Sequence, residues 1–473
     1  MESPHPHALV IPCPAQGHVI PFMELSHCLI DRGFRVTFVN TEFNHDRVMA
    51  ALSKTSSGGL LHSKLLHMAA IPDGMQPGED RGKMGQLIDS ILSHMPGGLQ
   101  KLISNINQSK EGDKITCMIV DGTMSWAFPV AAKLGIEAVA FWTGAVEYWR
   151  ICFQIPELIE VGIIDINGFP TKEQTIKHSP AFPAMPASEL PWLSVGDRSS
   201  QNATFRLLSQ CGLALKFTDC LLCNTCSEIE PTACELIPKV RAIGPLLAGS
   251  RLGLFEGNFW HEDSTCLSWL DQQPPNSVIY VAFGSFTVID RRQFQELALG
   301  LELCNRPFLW VVRPDLITDA CADSFPDGFK SRIASRGQTV GWSPQQKVLA
   351  HPSIACFVTH CGWNSTTEGL TNGLPFLCWP YFGDQKLNLT YIRDVWNVGL
   401  AFEKDSNGIV SRGEIKGKIE ALLGDEGIKQ RSLDMQAIVR RSVAEGGSSF
   451  KNFNDFVETI KSGSGTSNGR KDD

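Results

Sequence analysis

The stretch HALVIPCPAQGHVIPFMELSHCLIDRGFRVTFVNTE, His7–Glu42, decides the architecture. HALVIPCP is apolar and β-prone, AQGHVIP is a breaker-rich turn, FMELSHCLIDRG has helical spacing with a glycine stop, and FRVTFVNTE returns to a strand period. Strand, loop, helix and strand in that order make a βαβ unit. A second unit follows in KITCMIVDG, SWAFPVAAKLG and IEAVAFWTG, so the early chain alternates strands and helices over a mainly parallel sheet.

Residues 160–215 break this rhythm. Their Pro-rich part, residues 180–192, has no period, and the whole region is expected to be loops and short helices. A second alternating series starts at NSVIYVAFGS and passes through RRQFQELALGLELC, PFLWVVRP, GQTVGW, QQKVLAHP, IACFVTH, STTEGLTNG and PFLCWP. Between the two series lies IGPLLAGSRLGLFEGN, Gly-rich and without a long period, as a linker would be. The expected division is a first domain over 1–248, a linker over 249–258 and a second domain over 259–449. A C-terminal helix at about 450–461 is expected to return to the first domain, with a flexible tail at 462–473. Two doubly wound Rossmann-like α/β domains facing each other across a ligand crevice fit this pattern.

Composition narrows the function. The chain has 473 residues, 43% of them hydrophobic, which is enough for two ordinary domains. Its net charge is -8, and no long Lys/Arg block offers an electrostatic footprint for nucleic acid or an anionic membrane. No apolar run approaches the roughly 18 residues of a membrane span, and the start lacks a basic region followed by an apolar stretch. The 15 cysteines, an odd number, are scattered through apolar segments rather than spaced as a disulfide framework. A cytoplasmic monomer that works on small molecules is the expectation.

The most informative segment is WSPQQKVLAHPSIACFVTHCGWNSTTEGLTNGLPFLCWPYFGDQ, Trp342–Gln385. IACFVTH reads as a buried strand ending at His360, and Asn364-Ser365-Thr366 then opens a helix through Glu368. Small and capping residues at such a junction leave backbone N–H groups at a helix N-terminus, where dipole and donors together attract phosphate. His360, Asn364 and Ser365 can add hydrogen bonds to it. Glu368, one turn on, could accept from the two hydroxyls of a ribose. Trp342 offers a flat face for a base. Asp384 and Gln385 combine an anionic acceptor with an amide that can donate and accept, which suits a sugar. The His and Cys of HPSIACFVTHC do not make a metal site, because strand alternation points Cys356 and His360 to one face and Cys361 to the other.

A transfer to a hydroxyl also needs a base with pKa near neutrality. His18 follows the first strand and Asp121 ends CMIVD, so both should lie at the carboxyl edge of the first sheet, where doubly wound folds place ligands. A carboxylate on one imidazole nitrogen fixes the tautomer and stabilises the imidazolium.

Over its whole length the 342–385 segment resembles the signature of the family 1 plant secondary-product glycosyltransferases. Trp342, Pro344, Gln345, His351, the run His360 to Ser365, Glu368, Gly373, Pro375, Trp379, Pro380, Asp384 and Gln385 fall where that signature has them, with Leu374 a mild departure from the more usual Val. The resemblance implies a GT-B fold and UDP-glucose as donor, with no metal and no bound cofactor. It assigns Trp342 and Gln345 to uracil, Glu368 to ribose, His360, Asn364, Ser365 and Ser285 to the diphosphate, and Trp363, Asp384 and Gln385 to the sugar. It also implies His18 as general base, Asp121 as its partner, and Thr143 as a contact to the donor sugar. The chain has no Asp-X-Asp triplet of the kind that binds a metal diphosphate. A dinucleotide-dependent oxidoreductase is disfavoured, because CPAQGH lacks G-x-G-x-x-G and no later strand is followed by one. Phe141, Trp142, Tyr148, Met185 and Phe382 are the candidate walls for a lipophilic acceptor, although the same residues would suit a plain core.

Overall fold

The computed structural model describes residues 5–52, 64–109, 114–237, 239–246, 258–317 and 324–462. They fall into two compact units. The first holds the described residues up to 246, with Asn258, Phe259 and those from Ser442 onward, and the second holds Trp260–Arg441. The linker read at 249–258 lies outside the described residues except for Asn258, and the tail read at 462–473 lies outside them except for Ser462.

The first unit contains strands β1 (His7–Ile11), β2 (Arg35–Thr41), β3 (Leu66–Ile71), β4 (Cys117–Asp121), β5 (Glu137–Trp142), β6 (Thr175–Ile176), β7 (Met185–Pro186), β8 (Leu221–Cys223) and β9 (Val240–Ala242). Seven of them form a parallel sheet in the order β3-β2-β1-β4-β5-β8-β9, while β6 and β7 pair antiparallel on their own. The second unit contains β10 (Val278–Ala282), β11 (Phe308–Val311), β12 (Gly337–Val340), β13 (Ile354–Thr359), β14 (Phe376–Cys378) and β15 (Gly399–Ala401). They form a six-stranded parallel sheet in the order β12-β11-β10-β13-β14-β15. Strands β1, β4, β10 and β11 are buried along their whole length, as continuous apolar runs in a covered parallel sheet must be.

Both sheets reverse direction of growth at one point. In the first unit the chain builds outward from β1 to β3 and then returns to place β4 on the other side of β1; in the second it does the same around β10 and β13. The loops leaving the carboxyl ends of such a strand pair diverge, which opens a crevice there. His18 and Asp121 follow or end β1 and β4, whereas Ser285 and His360 follow β10 and β13.

Two local readings are corrected. The first helix runs Gln16–Ile30 and starts before FMELS, so His18 sits in its opening turn rather than in a loop. Pro21 lies inside it, and the residue four earlier, whose carbonyl would face the proline ring, is Gly17. Residues 160–215 hold, besides short pieces, a helix over Arg198–Ser209, capped by Asp197, which accepts from the Ser200 N–H at 2.9 Å, and burying Ala203, Phe205 and Leu208. The last helix, Ser448–Lys461, joins the first unit: Ser449 Oγ donates to the Gly244 carbonyl at 2.7 Å, and the Asn452 amide donates to the Ala242 carbonyl at 2.8 Å. Among the described residues no helix is long and apolar enough to cross a membrane.

Candidate active site

In the second unit, β13 delivers His360 to a sharp turn in which Cys361 adopts φ 66°. The turn is held by the Thr359 hydroxyl, which accepts from the Cys361 N–H at 3.2 Å, and by the Asn388 amide, which donates to the Cys361 carbonyl at 2.8 Å. The helix that follows spans Trp363–Thr371, so it opens at Trp363 rather than at Asn364. Extended Gly362 occupies the cap and makes no side-chain capping bond. A helix start of this kind carries the positive end of the helix dipole. Gly369 lets the helix lie close to the sheet, because a Cβ there would come within 2.4 Å of the Phe376 ring.

His360 is clamped between two glycines. A Cβ on Gly284 would lie 2.4 Å from its Nε2, and one on Gly362 would lie 2.6 Å away. Gly284 also has φ 67°, a conformation that glycine adopts without strain. Burial first, and the nearby Arg313 charge second, lower the His360 pKa to about 4. The ring is thus neutral near pH 7 and can act as an N–H donor rather than as a cation. Its Nδ1 is buried without a hydrogen-bond partner among the described residues. Ser285 directly follows Gly284 on the same loop.

Behind the helix end lies a hydrogen-bonded lattice. The Gln345 amide donates to Ser365 Oγ at 2.9 Å and to Glu368 Oε2 at 2.6 Å, while its carbonyl accepts from the Tyr280 hydroxyl at 3.1 Å. Tyr280 also bonds Ser343 Oγ at 2.8 Å, and the Gln346 amide reaches Glu368 Oε1 at 3.4 Å. Burial raises the Glu368 pKa to about 7 against the opposing pull of the two glutamine donors. Trp342 stacks on Trp260 with ring centres 4.8 Å apart, which fixes the plane of its indole.

Asp384 and Gln385 open the helix Gln385–Thr390. Asp384 Oδ2 accepts from the Asn388 amide at 2.7 Å, and the same amide holds Cys361, so the aspartate and the Cys361 turn share one anchor. Gln385, read as an amide that can donate and accept, has its accepting half already engaged. Its carbonyl accepts from the Tyr381 and Phe382 N–H groups at 2.7 and 3.0 Å, which leaves its NH₂ as the group on offer to a ligand. Trp363 is buried and packs against Tyr391 and Trp396.

The first unit carries a compact polar group. His18 Nδ1 lies 2.7 Å from Asp121 Oδ2 and 3.1 Å from Thr143 Oγ1. Asp121 is fully buried and is further held by the Cys13 N–H at 3.2 Å, the Thr123 N–H at 2.9 Å and the Thr123 hydroxyl at 2.7 Å. Burial alone would raise the Asp121 pKa, but the His18 charge, the hydrogen bond from His18 and the Thr123 bonds together hold it below the ordinary value. An ionised carboxylate only accepts, so Nδ1 of His18 carries the proton of this bond. Thr143 is placed on the imidazole by this bond, beside the pair rather than away from it.

The aromatic acceptor walls are corrected in part. Phe141 is fully buried with its ring centre 4.8 Å from that of Phe22. Trp142 is buried parallel to Trp149 at 5.2 Å, with its indole N–H bound to the Ala145 carbonyl at 2.8 Å. Both are core, because a strand end packed under helices demands the same apolar residues as a pocket does. Met185 is buried in β7, while Tyr148 and Phe382 are half-buried.

Tyr280, Ser343, Gln346, Asn388 and Trp260 were not found by sequence reasoning. Tyr280 carries the one readable signal, a hydroxyl inside an otherwise apolar strand that must find a partner when buried.

Comparison with known proteins identifies the family. Residues 261–440 match the family described as UDP-glucoronosyl and UDP-glucosyl transferase. The chain is 42% identical over 465 residues to UDP-glycosyltransferase 83A1 of Arabidopsis thaliana, covering 97% of each. Its fold superposes on Os79 of O. sativa in complex with UDP with a TM-score of 0.78 at 26% identity, covering 96% of this chain and 100% of that one. It also superposes on a Polygonum tinctorium UDP-glucosyltransferase capable of glucosylating indoxyl with a TM-score of 0.79 at 26% identity, covering 98% and 100%. By sequence along nearly its full length and by its pair of Rossmann-like GT-B domains, the chain belongs to the plant family 1 UDP-glycosyltransferases, enzymes that act on small acceptors.

Proposed function

We propose that this enzyme transfers glucose from UDP-glucose to a hydroxyl of a small lipophilic acceptor of the phenolic, flavonoid, terpenoid or hormone class, inverting the anomeric carbon. The observation that carries the reading is the 2.7 Å bond between His18 Nδ1 and buried Asp121, which makes Nε2 the basic nitrogen of the neutral ring. The acceptor hydroxyl gives its proton to Nε2 as its oxygen attacks the sugar carbon. Asp121 stabilises the imidazolium that forms, and the bond from the anomeric carbon to the diphosphate breaks with its electron pair. Attack opposite the leaving group converts an α-linked donor into a β-glucoside.

The second unit supports the donor half of the proposal. Trp342 and Gln345 are assigned to uracil and Glu368 to the ribose hydroxyls. The helix end at Trp363–Ser365, with His360 and Ser285, is assigned to the charge that grows on the leaving diphosphate. Asp384 and the Gln385 NH₂ are assigned to the glucose hydroxyls, and no resident metal or cofactor is invoked. All described cysteines are free thiols, which favours a reducing, cytoplasmic setting for a monomer.

The test is a screen of purified protein against a phenolic and terpenoid library with UDP-glucose, UDP-galactose, UDP-xylose, UDP-rhamnose and UDP-glucuronate. Products that gain one glucosyl residue with β configuration are expected with UDP-glucose. Preference for another donor, or an α-linked product, would overturn the respective part.

A further inference from the structure

Arg313 lies two residues beyond β11, the strand that pairs with β10 on the side away from β13. Its side chain reaches under the loop that leaves β10. Nη1 donates to the Gly284 carbonyl at 2.8 Å and Nη2 donates to the Thr287 carbonyl at 2.6 Å. These bonds bracket Ser285 and seat Gly284, the residue whose missing Cβ makes room for His360 Nε2. The loop alternates around this anchor: Thr287 is 1% exposed, while Phe286 and Val288 are 42% and 47% exposed.

The guanidinium is unusual in its surroundings. Arg313 is 2% exposed, yet its ion-pair partner Asp315, 3.3 Å from Nε, is 61% exposed in its side chain and forms no hydrogen bond to that nitrogen. A buried cation answered by one solvated carboxylate is costly unless another anion completes it. Three buried polar atoms around the same loop lack hydrogen-bond partners among the described residues: Arg313 Nε, Thr287 Oγ1 and His360 Nδ1. Arg313 also lies 5.8 Å from the ring of Trp260, the indole that stacks on Trp342. One side chain thus links the loop of Ser285 and the seat of His360.

We propose that Arg313 is the positioning residue and resident buried cation of the diphosphate subsite, holding the Gly284–Thr287 loop against His360 while its charge is completed by the diphosphate of the sugar nucleotide. The assignment rests on reading the second unit as the donor site. It gives the leaving group a fixed countercharge that needs no reorganisation during the reaction.

Calorimetric titration of UDP and, separately, uridine into the wild type, Arg313→Met and Arg313→Lys tests it. For Arg313→Met, UDP affinity should fall about ten- to hundredfold, as for loss of charge-assisted hydrogen bonds, with uridine affinity within about twofold of wild type. Arg313→Lys keeps the charge but not the fork, and should lose several-fold in UDP affinity with uridine again unchanged. Equal losses for UDP and uridine would reduce Arg313 to a scaffold residue, and unchanged UDP affinity in both variants would overturn the proposal outright. Should Arg313→Met lose the near-ultraviolet dichroism of the wild type, the UDP-to-uridine ratio of Arg313→Lys decides by the same criterion. Failure of the wild type to bind UDP would instead sink the donor-site reading itself.

Discussion

The first unit places its candidate chemistry on a single short bond, His18 to Asp121, with Thr143 and Thr123 as supports. The second spreads its own over many atoms, in which Gln345 alone bonds Tyr280, Ser365 and Glu368. A single bond that sets a proton's path fails completely when one partner is lost. A lattice shares its load, so each truncation costs less and the costs do not add.

This contrast breaks hardest at His18. His18→Ala is expected to lower kcat by about a thousandfold, while KM for the sugar nucleotide stays within about threefold in steady-state kinetics. A parallel loss in UDP affinity would remove the distinction between the two units. Asp121→Asn should cost about a hundredfold in kcat and alter the pH-rate profile, because the Nδ1 proton loses its anionic partner. Asp121 also tests the link to stability. Its pKa is lower in the folded protein, so its contribution is present above the ordinary carboxyl range and is lost as pH falls through the depressed value. Acid unfolding should therefore destabilise the wild type more steeply than Asp121→Asn.

Glu368 is the next largest. Its folded pKa is raised to about 7, so its contribution to stability is present below the ordinary carboxyl value and is lost as pH rises through about 7. Ribose hydroxyls that donate to Glu368 favour its ionised form. UDP binding at about pH 6 should therefore release a proton, seen as a buffer-dependent calorimetric enthalpy. Glu368→Gln should abolish the release and weaken UDP about tenfold. The smallest effect is expected for Tyr280→Phe, a three- to fivefold rise in donor KM from loss of the neutral hydrogen bonds to Gln345 and Ser343. Combined with Gln345→Ala it should add almost nothing, since both act through the same amide; additive losses would show that the lattice is not one unit.

The two units also differ in how far they could be read from residues alone. Parallel strands buried on both faces are continuous apolar runs, so the alternating order was legible in both. The 342–385 segment stood out because its polar residues are fixed in spacing around one strand end and one helix. Gly17 and Pro21 looked like a turn, since a proline within a helix is tolerated only where the preceding turn leaves it room, and that is a tertiary fact. Tyr280, Asn388 and Arg313 act across strands and helices far apart in sequence, so no local spacing marks them. Phe141 and Trp142 could be core or cavity on composition alone, and only packing separates the two.

The first unit is discontinuous along the chain: its sheet is finished by residue 242, yet the helix that binds the Gly244 and Ala242 carbonyls begins at Ser448. A ribosome makes the second unit in one uninterrupted passage but must complete nearly the whole polypeptide before the first has all its parts. A stop codon placed just ahead of Ser448 would spare the whole of the second unit and leave those two carbonyls without their side-chain partners, so truncated chains would betray damage in the half that was synthesised first.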